Sequence, residues 1–393
     1  MIAVEASPKD RIIARAKEIG FDLVGVTTAE PFAQAEAVFQ TRARDGLLAN
    51  WHYPPAIVER NCRPHDVLPG AKSIVCTATS YLTAHEPYDP NASGLRGFVS
   101  SHAWGRDYHR VIGNRLRALA DYIVTEFPGA QCLPCVDTGP MVDRAAAVRA
   151  GIGWFGKNAN VLTREFGSWV LLGELITTLE LPPDRPLVKN CGQCVECVAM
   201  CPTGAIGPSG QVDARRCISD LTQLKSPIPR ELRPAIGNRL WGCDDCQTVC
   251  PVNERKAIAG RSRSGKVFEP LPHIGTAVDL PSVLRMTKSQ FRSWFGPTSM
   301  AWRGKAVLQR NAAVALGNSR DPGALEPLLE ALEDRKPLVR GHAAWALGRL
   351  VCSLGAYSER ALSGLQLLVE REQDPWVRQE AELARDAICG SSR

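Results

Sequence analysis

Eight of the fourteen cysteines fall into two complementary sets, each ending in Cys-Pro. Cys191, Cys194, Cys197 and Cys201 are followed by Pro202 in the spacing C-x2-C-x2-C-x3-C-P, the bacterial ferredoxin run. Cys217, Cys243, Cys246 and Cys250, the last followed by Pro251, supply the complementary half. Thiolates are soft ligands matched to iron–sulfur chemistry, and the short spacing lets one loop wrap a cubane. The pattern predicts two [4Fe–4S] clusters, with zinc as the alternative metal. In two-cluster ferredoxins the fourth cysteine of a run ligates the other cluster. By that crossing Cys191, Cys194, Cys197 and Cys250 hold one cluster, and Cys201, Cys217, Cys243 and Cys246 the other. Such a pair moves electrons singly, so an electron source and an acceptor are implied. Among the other six cysteines, Cys132 and Cys135 form a CLPC pair just before Asp137 with no further ligand pair nearby, and are expected to be small buried residues.

A second concentration of chemistry precedes the clusters. The run DTGPMVDRAAAVRAGIGWFGKNANVL, followed by FGSWVLL, contains Asp137, Arg144, Lys157, Asn158, Val161 and Ser168 among closely spaced glycines. Glycines this close together allow backbone to approach a large flat ligand. The dinucleotide fingerprint and the P-loop are both absent. Upstream, AWGRDYHRVIG places Asp107, Tyr108 and His109 at a helix start. The Asp107 to Gly113 spacing is one residue too long for the corrinoid signature D-x-H-x-x-G, so His109 is not expected to ligate cobalt, and Asp107 is expected to cap the helix.

These groups need elements to position them. KDRIIARAKEIG has apolar residues at helical spacing and stops at Gly20, FDLVGVT and KSIVCTATSY are β-prone, His109 to Val124 predicts an amphipathic helix, and GSWVLLGELITTLEL a buried strand. Alternating helices and strands predict an α/β domain over 1–182, ended by Pro182, Pro183 and Pro186. A two-cluster ferredoxin-like domain over 183–256 follows, then a basic linker and helical connection over 257–297. In the last segment, 298–393, Ala312 to Gly317 recurs as Ala343 to Gly348 and Pro337 to Arg340 as Pro375 to Arg378. Small residues at helix contacts with such a period indicate α-helical HEAT-like repeats. The fold class is therefore α+β and multidomain.

Composition supports a packed body: 45% apolar and 22% charged residues in 393 exclude collagen, coiled coil and extended disorder. The net charge of +6 is uneven, with residues 252–310 carrying 11 Lys/Arg against 3 Asp/Glu, a footprint suited to a polyanion. The most apolar stretch, Trp169 to Leu181, is broken by Glu174 and Glu180, so no membrane span is expected. The amino-terminal residues lack an apolar secretory core, which predicts a cytoplasmic protein in a reducing compartment.

The run from Asp137 to Leu172, CGQCVECVAMCPTGAI, VDARRCIS, GCDDCQTVCPVN and RNAAVALGN, in that order, resembles the epoxyqueuosine reductases. Asp143 stands where that family usually has Glu. The resemblance implies reduction of epoxyqueuosine to queuosine at the tRNA wobble position, the last step of queuosine biosynthesis. It implies a base-off cobalamin, as cob(II)alamin, on the α/β domain, reduced by the adjacent cluster, and Asp137 of Asp-Thr-Gly-Pro as the acid. Arg60, Tyr108, His109, Asp137, Arg144, Lys157, Asn158, Val161 and Ser168 are the expected cobalamin-binding residues. Arg303, Lys305, Arg310 and Arg340 are the expected phosphate contacts for a tRNA carrying epoxyqueuosine, whose base enters flipped out. An external electron donor such as a flavodoxin or ferredoxin system and a monomeric state are expected. Two other readings use the same residues: a corrinoid-dependent reductive dehalogenase-like enzyme, which leaves the repeats without purpose, and a non-catalytic iron–sulfur electron carrier, which leaves Asp137 unexplained.

Overall fold

The structure is a computed structural model that describes residues 6–49, 54–253, 265–355 and 358–391. Its contacts divide the chain into two compact units. The first comprises Met1–Ala84, Gly105–Arg215 and Asp245–Glu269; the second comprises His85–Trp104, Arg216–Asp244 and Pro270–Arg393. This division differs from the four consecutive segments drawn from the sequence. The cysteine-rich segment is shared out, because 216–244 pack with the repeats while 245–269 return to the α/β body. Most of the expected linker, from 270 onward, belongs to the second unit, and its residues 257–264 lie outside the described ones.

Among the described residues nine strands are formed: β1 (Leu23–Thr28), β2 (Ser73–Ser80), β3 (Arg96–Val99), β4 (Cys132–Cys135), β5 (Trp154–Phe155), β6 (Val161–Leu162), β7 (Val170–Thr177), β8 (Arg239–Trp241) and β9 (Ala277–Asp279). In the first unit the order is β1-β2-β7-β4, antiparallel throughout, with Cys76 and Cys135 both opposite Glu174. Helices Pro8–Ile19 and Tyr108–Glu126 cover one face, burying Ile12, Ala16, Ile112 and Leu116 against Val75 and Leu175. Ser7 caps the first of these, and Gly20 ends it at φ 112, a left-handed conformation that glycine adopts without a side-chain clash. The other face packs Cys76, Cys135 and Ile176 against Ala146 and Ala147 of helix Asp143–Arg149. That helix lies close because Gly25 has no side chain: a Cβ there would stand 2.3 Å from the Ala150 carbonyl oxygen.

The second unit holds a three-stranded sheet, β8-β3-β9, and the helical repeats. Helices Lys305–Asn318, Pro337–Leu354 and Pro375–Ser391 stack in sequence. The recurring Gly explains the repeat, since a Cβ at Gly317 would be 2.7 Å from Ala346 Cα and one at Gly348 2.9 Å from Ala384 Cα. Among the described residues, no helix is long and apolar enough to cross a membrane.

Candidate active site and cluster-binding loops

The loop between β4 and helix Asp143–Arg149 carries Asp137 at φ 43, a left-handed backbone that Asp tolerates better than most side chains. Gly139 tightens the loop, because a Cβ there would press within 3.1 Å of Cys135. The Asp137 carboxylate thereby reaches the start of helix Tyr108–Glu126. Its Oδ2 accepts a hydrogen bond from the Tyr108 hydroxyl at 2.7 Å and faces His109 Nε2 at 3.0 Å. On the other side of the imidazole, His109 Nδ1 meets Asp107 Oδ1 at 2.8 Å. Asp107 also accepts from the His109 backbone N–H at 3.1 Å, so the expected helix cap is present and additionally orients the ring. The Tyr108 and His109 rings stack with centroids 4.1 Å apart.

Burial works to lower the His109 pKa, but hydrogen bonds to Asp107 and Asp137, with their charges, outweigh it and raise it to about 9. At neutral pH the ring is therefore an imidazolium held between Asp107 and Asp137. Burial also works to raise Asp107, yet the hydrogen bonds of His109 hold it below the usual carboxylate range. Burial first, then the Asp137 charge, pushes the Tyr108 hydroxyl up, which keeps it a hydrogen-bond donor. Asp143 is raised to about 7 by burial and by Asp137. Glu174, wholly buried in β7, is pushed well above the ordinary glutamate value by burial and then by Asp143 and Asp137. Neither Asp143 nor Glu174 was singled out as a site residue from the sequence.

Other expected site residues have partners of their own. Lys157 Nζ donates to the carbonyls of Gly192 at 3.1 Å and Cys194 at 2.9 Å. Asn158 Nδ2 donates to the Cys246 carbonyl at 3.2 Å, and Val161 is buried in the same hairpin. The Ser168 hydroxyl donates to Gln247 Oε1, and its backbone N–H donates to Asn253 Oδ1, each at 2.8 Å. The β5–β6 hairpin and Ser168 thus brace the loops that carry the cysteines. Arg144 donates to the Ala159 carbonyl at 2.7 Å, and Arg60 lies exposed on helix Pro55–Asn61. The clustered glycines are accounted for by the chain itself. A Cβ at Gly153 would meet Leu162 O at 2.4 Å, one at Gly151 Arg185 O at 2.6 Å, and one at Gly167 Asn253 Oδ1 at 1.9 Å. At these three positions close packing against the chain itself requires glycine.

In the first unit the thiols of Cys191, Cys194 and Cys250 all act on Cys197. Burial and then these like charges raise Cys197, and Cys250 is raised by burial with Cys191 and Cys194 adding to it. The Ala205 N–H points at Cys201 Sγ at 3.2 Å. In the second unit Cys217 starts helix Ile218–Leu221, and Cys243 follows β8. There Asp244 fixes the loop by accepting from the Ser100 hydroxyl at 2.6 Å and the Ser101 N–H at 2.9 Å. Among the described residues no three His, Cys, Asp or Glu side chains converge to hold a single metal ion. A cubane asks for a wider arrangement, one thiolate at each of four iron corners. Cys132 and Cys135 are half-buried and buried, as small packed residues are.

Among the expected phosphate contacts, Arg310 is corrected. It is fully buried and donates to the carbonyls of Ser226, Leu221 and Leu224 at 2.9 to 3.3 Å, which makes it an internal strut between loop and repeat. Arg340 makes a two-point ion pair with Glu372 at 2.6 and 2.7 Å. Arg303 lies over the exposed Trp302 ring, and Lys305 reaches Gln309 at 2.6 Å; both are half-buried.

Family models match three parts of the chain: epoxyqueuosine reductase QueG over residues 61–138, a 4Fe-4S double cluster binding domain over 190–253, and HEAT repeats over 303–384. Epoxyqueuosine reductase of Bacillus cereus is 38% identical over 375 residues, 95% of each chain, and that of Bacillus subtilis 39% over 385 residues, 98% of this chain and 96% of the relative. A crystal structure of epoxyqueuosine reductase with an epoxyqueuosine-modified tRNA-Tyr stem loop superposes at TM-score 0.88 with 37% identity, covering 97% of this chain and 98% of that one. The Bacillus subtilis structure with its aspartate-bearing catalytic loop swung out of the active site gives 0.87 at 37% identity, covering 96% and 98%. The double-cluster match makes this a protein of two [4Fe–4S] clusters, and the near full-length relatives exclude a non-catalytic carrier. The chain belongs to the epoxyqueuosine reductase family of oxidoreductases.

Proposed function

We propose that this chain reduces epoxyqueuosine to queuosine at the wobble position of tRNA, with Asp137 as the proton donor and electrons delivered through two [4Fe–4S] clusters and a cobalamin. The observation that carries the reading is the Asp137 carboxylate, more than half exposed on an open loop yet gripped by Tyr108 and His109. Converting an epoxide to an alkene takes two electrons and two protons, and the oxygen leaves as water. A carboxyl group at the leaving oxygen supplies a proton as the carbon–oxygen bond breaks. The Tyr108 hydroxyl and His109 imidazolium then stabilise the carboxylate that remains, and Asp107 keeps the ring in place. That one relative was solved with the modified tRNA stem loop and another with an aspartate-bearing catalytic loop swung out supports both the substrate and the role.

Cys191, Cys194, Cys197 and Cys250 hold one cluster, and Cys201, Cys217, Cys243 and Cys246 the other. The residues present fit a cobalamin at one point. Lys157 and Asn158 fasten the hairpin carrying Val161 to the backbone of Cys194 and Cys246, so a redox group held by that hairpin would be close to cluster ligands. Arg60, Tyr108, His109, Arg144, Lys157, Asn158, Val161 and Ser168 would hold it. When bound, it supplies a low-potential metal centre able to pass electrons into the carbon–oxygen bond. On the repeats, Arg303, Lys305 and Arg340 are the proposed phosphate contacts, and a flavodoxin- or ferredoxin-type donor the electron source.

The test is anaerobic turnover of epoxyqueuosine-containing tRNA by protein reconstituted with iron, sulfide and cobalamin, with nucleosides read by mass spectrometry. Queuosine is expected from the wild type. Asp137→Asn is expected to retain iron and cobalt and lose at least about a hundredfold in rate. Normal turnover by that variant removes the role of Asp137, and no queuosine from fully loaded wild type removes the reading.

A further inference from the structure

The reaction above consumes two protons per substrate, and Asp137 carries one. It must be reloaded within each turnover. His109, 3.0 Å away, has both ring nitrogens committed already, one to Asp107 and one to Asp137 itself.

Glu174 offers a different source. It occupies the middle of β7 with no exposed surface, and neither carboxyl oxygen has a hydrogen-bond partner. The register sets Cys76 of β2 on one side of it and Cys135 of β4 on the other, on the sheet face covered by helix Asp143–Arg149. Gly173, its neighbour, faces Ile112 on the opposite side of the sheet. The groups around it are few. Both flanking thiols are raised, Cys76 well above its ordinary value and Cys135 to about 12, so they are neutral at physiological pH. Arg149 is tied to Thr27, Thr28 and Glu30 at the far end of the helix. The charges acting on Glu174 are the carboxylates of Asp143, at the first turn of that helix, and Asp137 on the loop before it. A buried acid with no donor and only carboxylates for company keeps its proton. Asp143, raised to about 7, is matched to proton exchange near neutral pH.

We propose that Glu174, buried in β7, and Asp143, half-buried at the start of the helix that covers it, form a carboxyl pair that stores a proton behind the active-site loop and returns it to Asp137 within each turnover. This rests on the reading of the chain as the reductase of epoxyqueuosine. Asp137 gives its proton to the opened oxygen and becomes a carboxylate; the pair gives a proton back; Asp137 delivers it as the oxygen departs as water. The two electrons that the redox groups would supply complete the alkene, and solvent then returns two protons, one to Asp137 and one to the pair. Glu174 acts through Asp143 and is a positioning residue.

The test compares wild type, Glu174→Gln and Asp143→Asn as reconstituted holoenzyme from roughly pH 6 to roughly pH 9. Turnover is read together with iron content and the infrared absorption of protonated carboxyl groups. Glu174→Gln is expected to keep its iron and its KM for tRNA. It should lose kcat about tenfold at the alkaline end and little at the acid end, where bulk protons substitute. A protonated-carboxyl band present in wild type at neutral pH should vanish in this variant. A Glu174→Gln enzyme with the wild-type pH profile overturns the proposal alone, as does a wild type without that band. If Glu174→Gln fails to retain iron, the pH profile of Asp143→Asn decides by the same criterion. Failure of the wild type to form queuosine overturns the functional reading, and this proposal falls with it.

Discussion

Replacing His109 with Gln removes the charge held between Asp107 and Asp137, and the structure sets both the size and the pH dependence of the effect. The imidazole rises from 6.5 to about 9 on folding. At about 1.4 kcal/mol per pH unit this is a ceiling of roughly 3 kcal/mol. The ring is 31% exposed, so solvent screening reduces the contribution to roughly 1–2 kcal/mol. Because the folded value lies above the unfolded one, the stabilisation is complete below about pH 6.5 and is lost as pH rises through about 9. Thermal unfolding of wild type and His109→Gln, scanned from roughly pH 6 to roughly pH 10, should therefore show a gap of roughly 1–3 °C at the acid end that closes at the alkaline end. A gap independent of pH, or one that widens with alkalinity, would falsify the picture of an imidazolium clamped between Asp107 and Asp137. Turnover adds a second readout, since a freed Asp137 loop should lower kcat while iron content stays constant.

Arg310→Met should destabilise the second unit by roughly 3 kcal/mol or more, because it strands the carbonyls of Leu221, Leu224 and Ser226, and unfolding by denaturant measures it. Arg303→Gln should instead leave stability nearly unchanged and reduce the salt dependence of tRNA binding by about one unit of slope; an unchanged slope excludes a phosphate contact there. Gly348→Val should cost roughly 1–3 kcal/mol by forcing apart two helices whose backbones meet at Ala384, which circular dichroism melts would register as a lower Tm.

The parts of the protein legible in the sequence are those where one residue type serves one purpose. Cysteine spacing announced the clusters because little else asks for C-x2-C-x2-C-x3-C-P. The Ala-Leu-Gly recurrence announced the repeats because stacked helices exclude larger side chains at the same place in each turn, as Gly317 and Gly348 show. Strand β7, the amino-terminal helix and the cap at Asp107 followed from periodicity and capping chemistry. Residues with several uses were less legible. Glycine serves a ligand or a neighbouring carbonyl equally well, and at Gly151, Gly153 and Gly167 the neighbour is the chain itself. Arginine serves a phosphate or three backbone carbonyls, and for Arg310 burial decides for the carbonyls. Burial is set by packing across long sequence separations, which local pattern does not report.

Glu174 makes the same point from the opposite direction, because its signal was present in the sequence. The segment VLLGELIT alternates too little to have a solvated face, so an acid in its middle must be buried on one side or the other. A buried carboxyl group is costly unless it is paired, ligated or protonated. Among the described residues, pairing is absent for both of its oxygens, and the flanking thiols of Cys76 and Cys135 stay neutral. That leaves protonation, and protonation is useful here because of what stands next to it. Asp143 and Asp137 turn one neutral acid into the end of a series of carboxyl groups that opens at the exposed loop. Placed on the far face, toward Ile112 and Leu116, the same glutamate would lie across the sheet from the helix that starts at Asp143 and would serve only as a destabilised strand position. The alternation of β7, which turns Gly173 toward that helix and Glu174 toward the active-site loop, is therefore what converts an expensive side chain into a functional one.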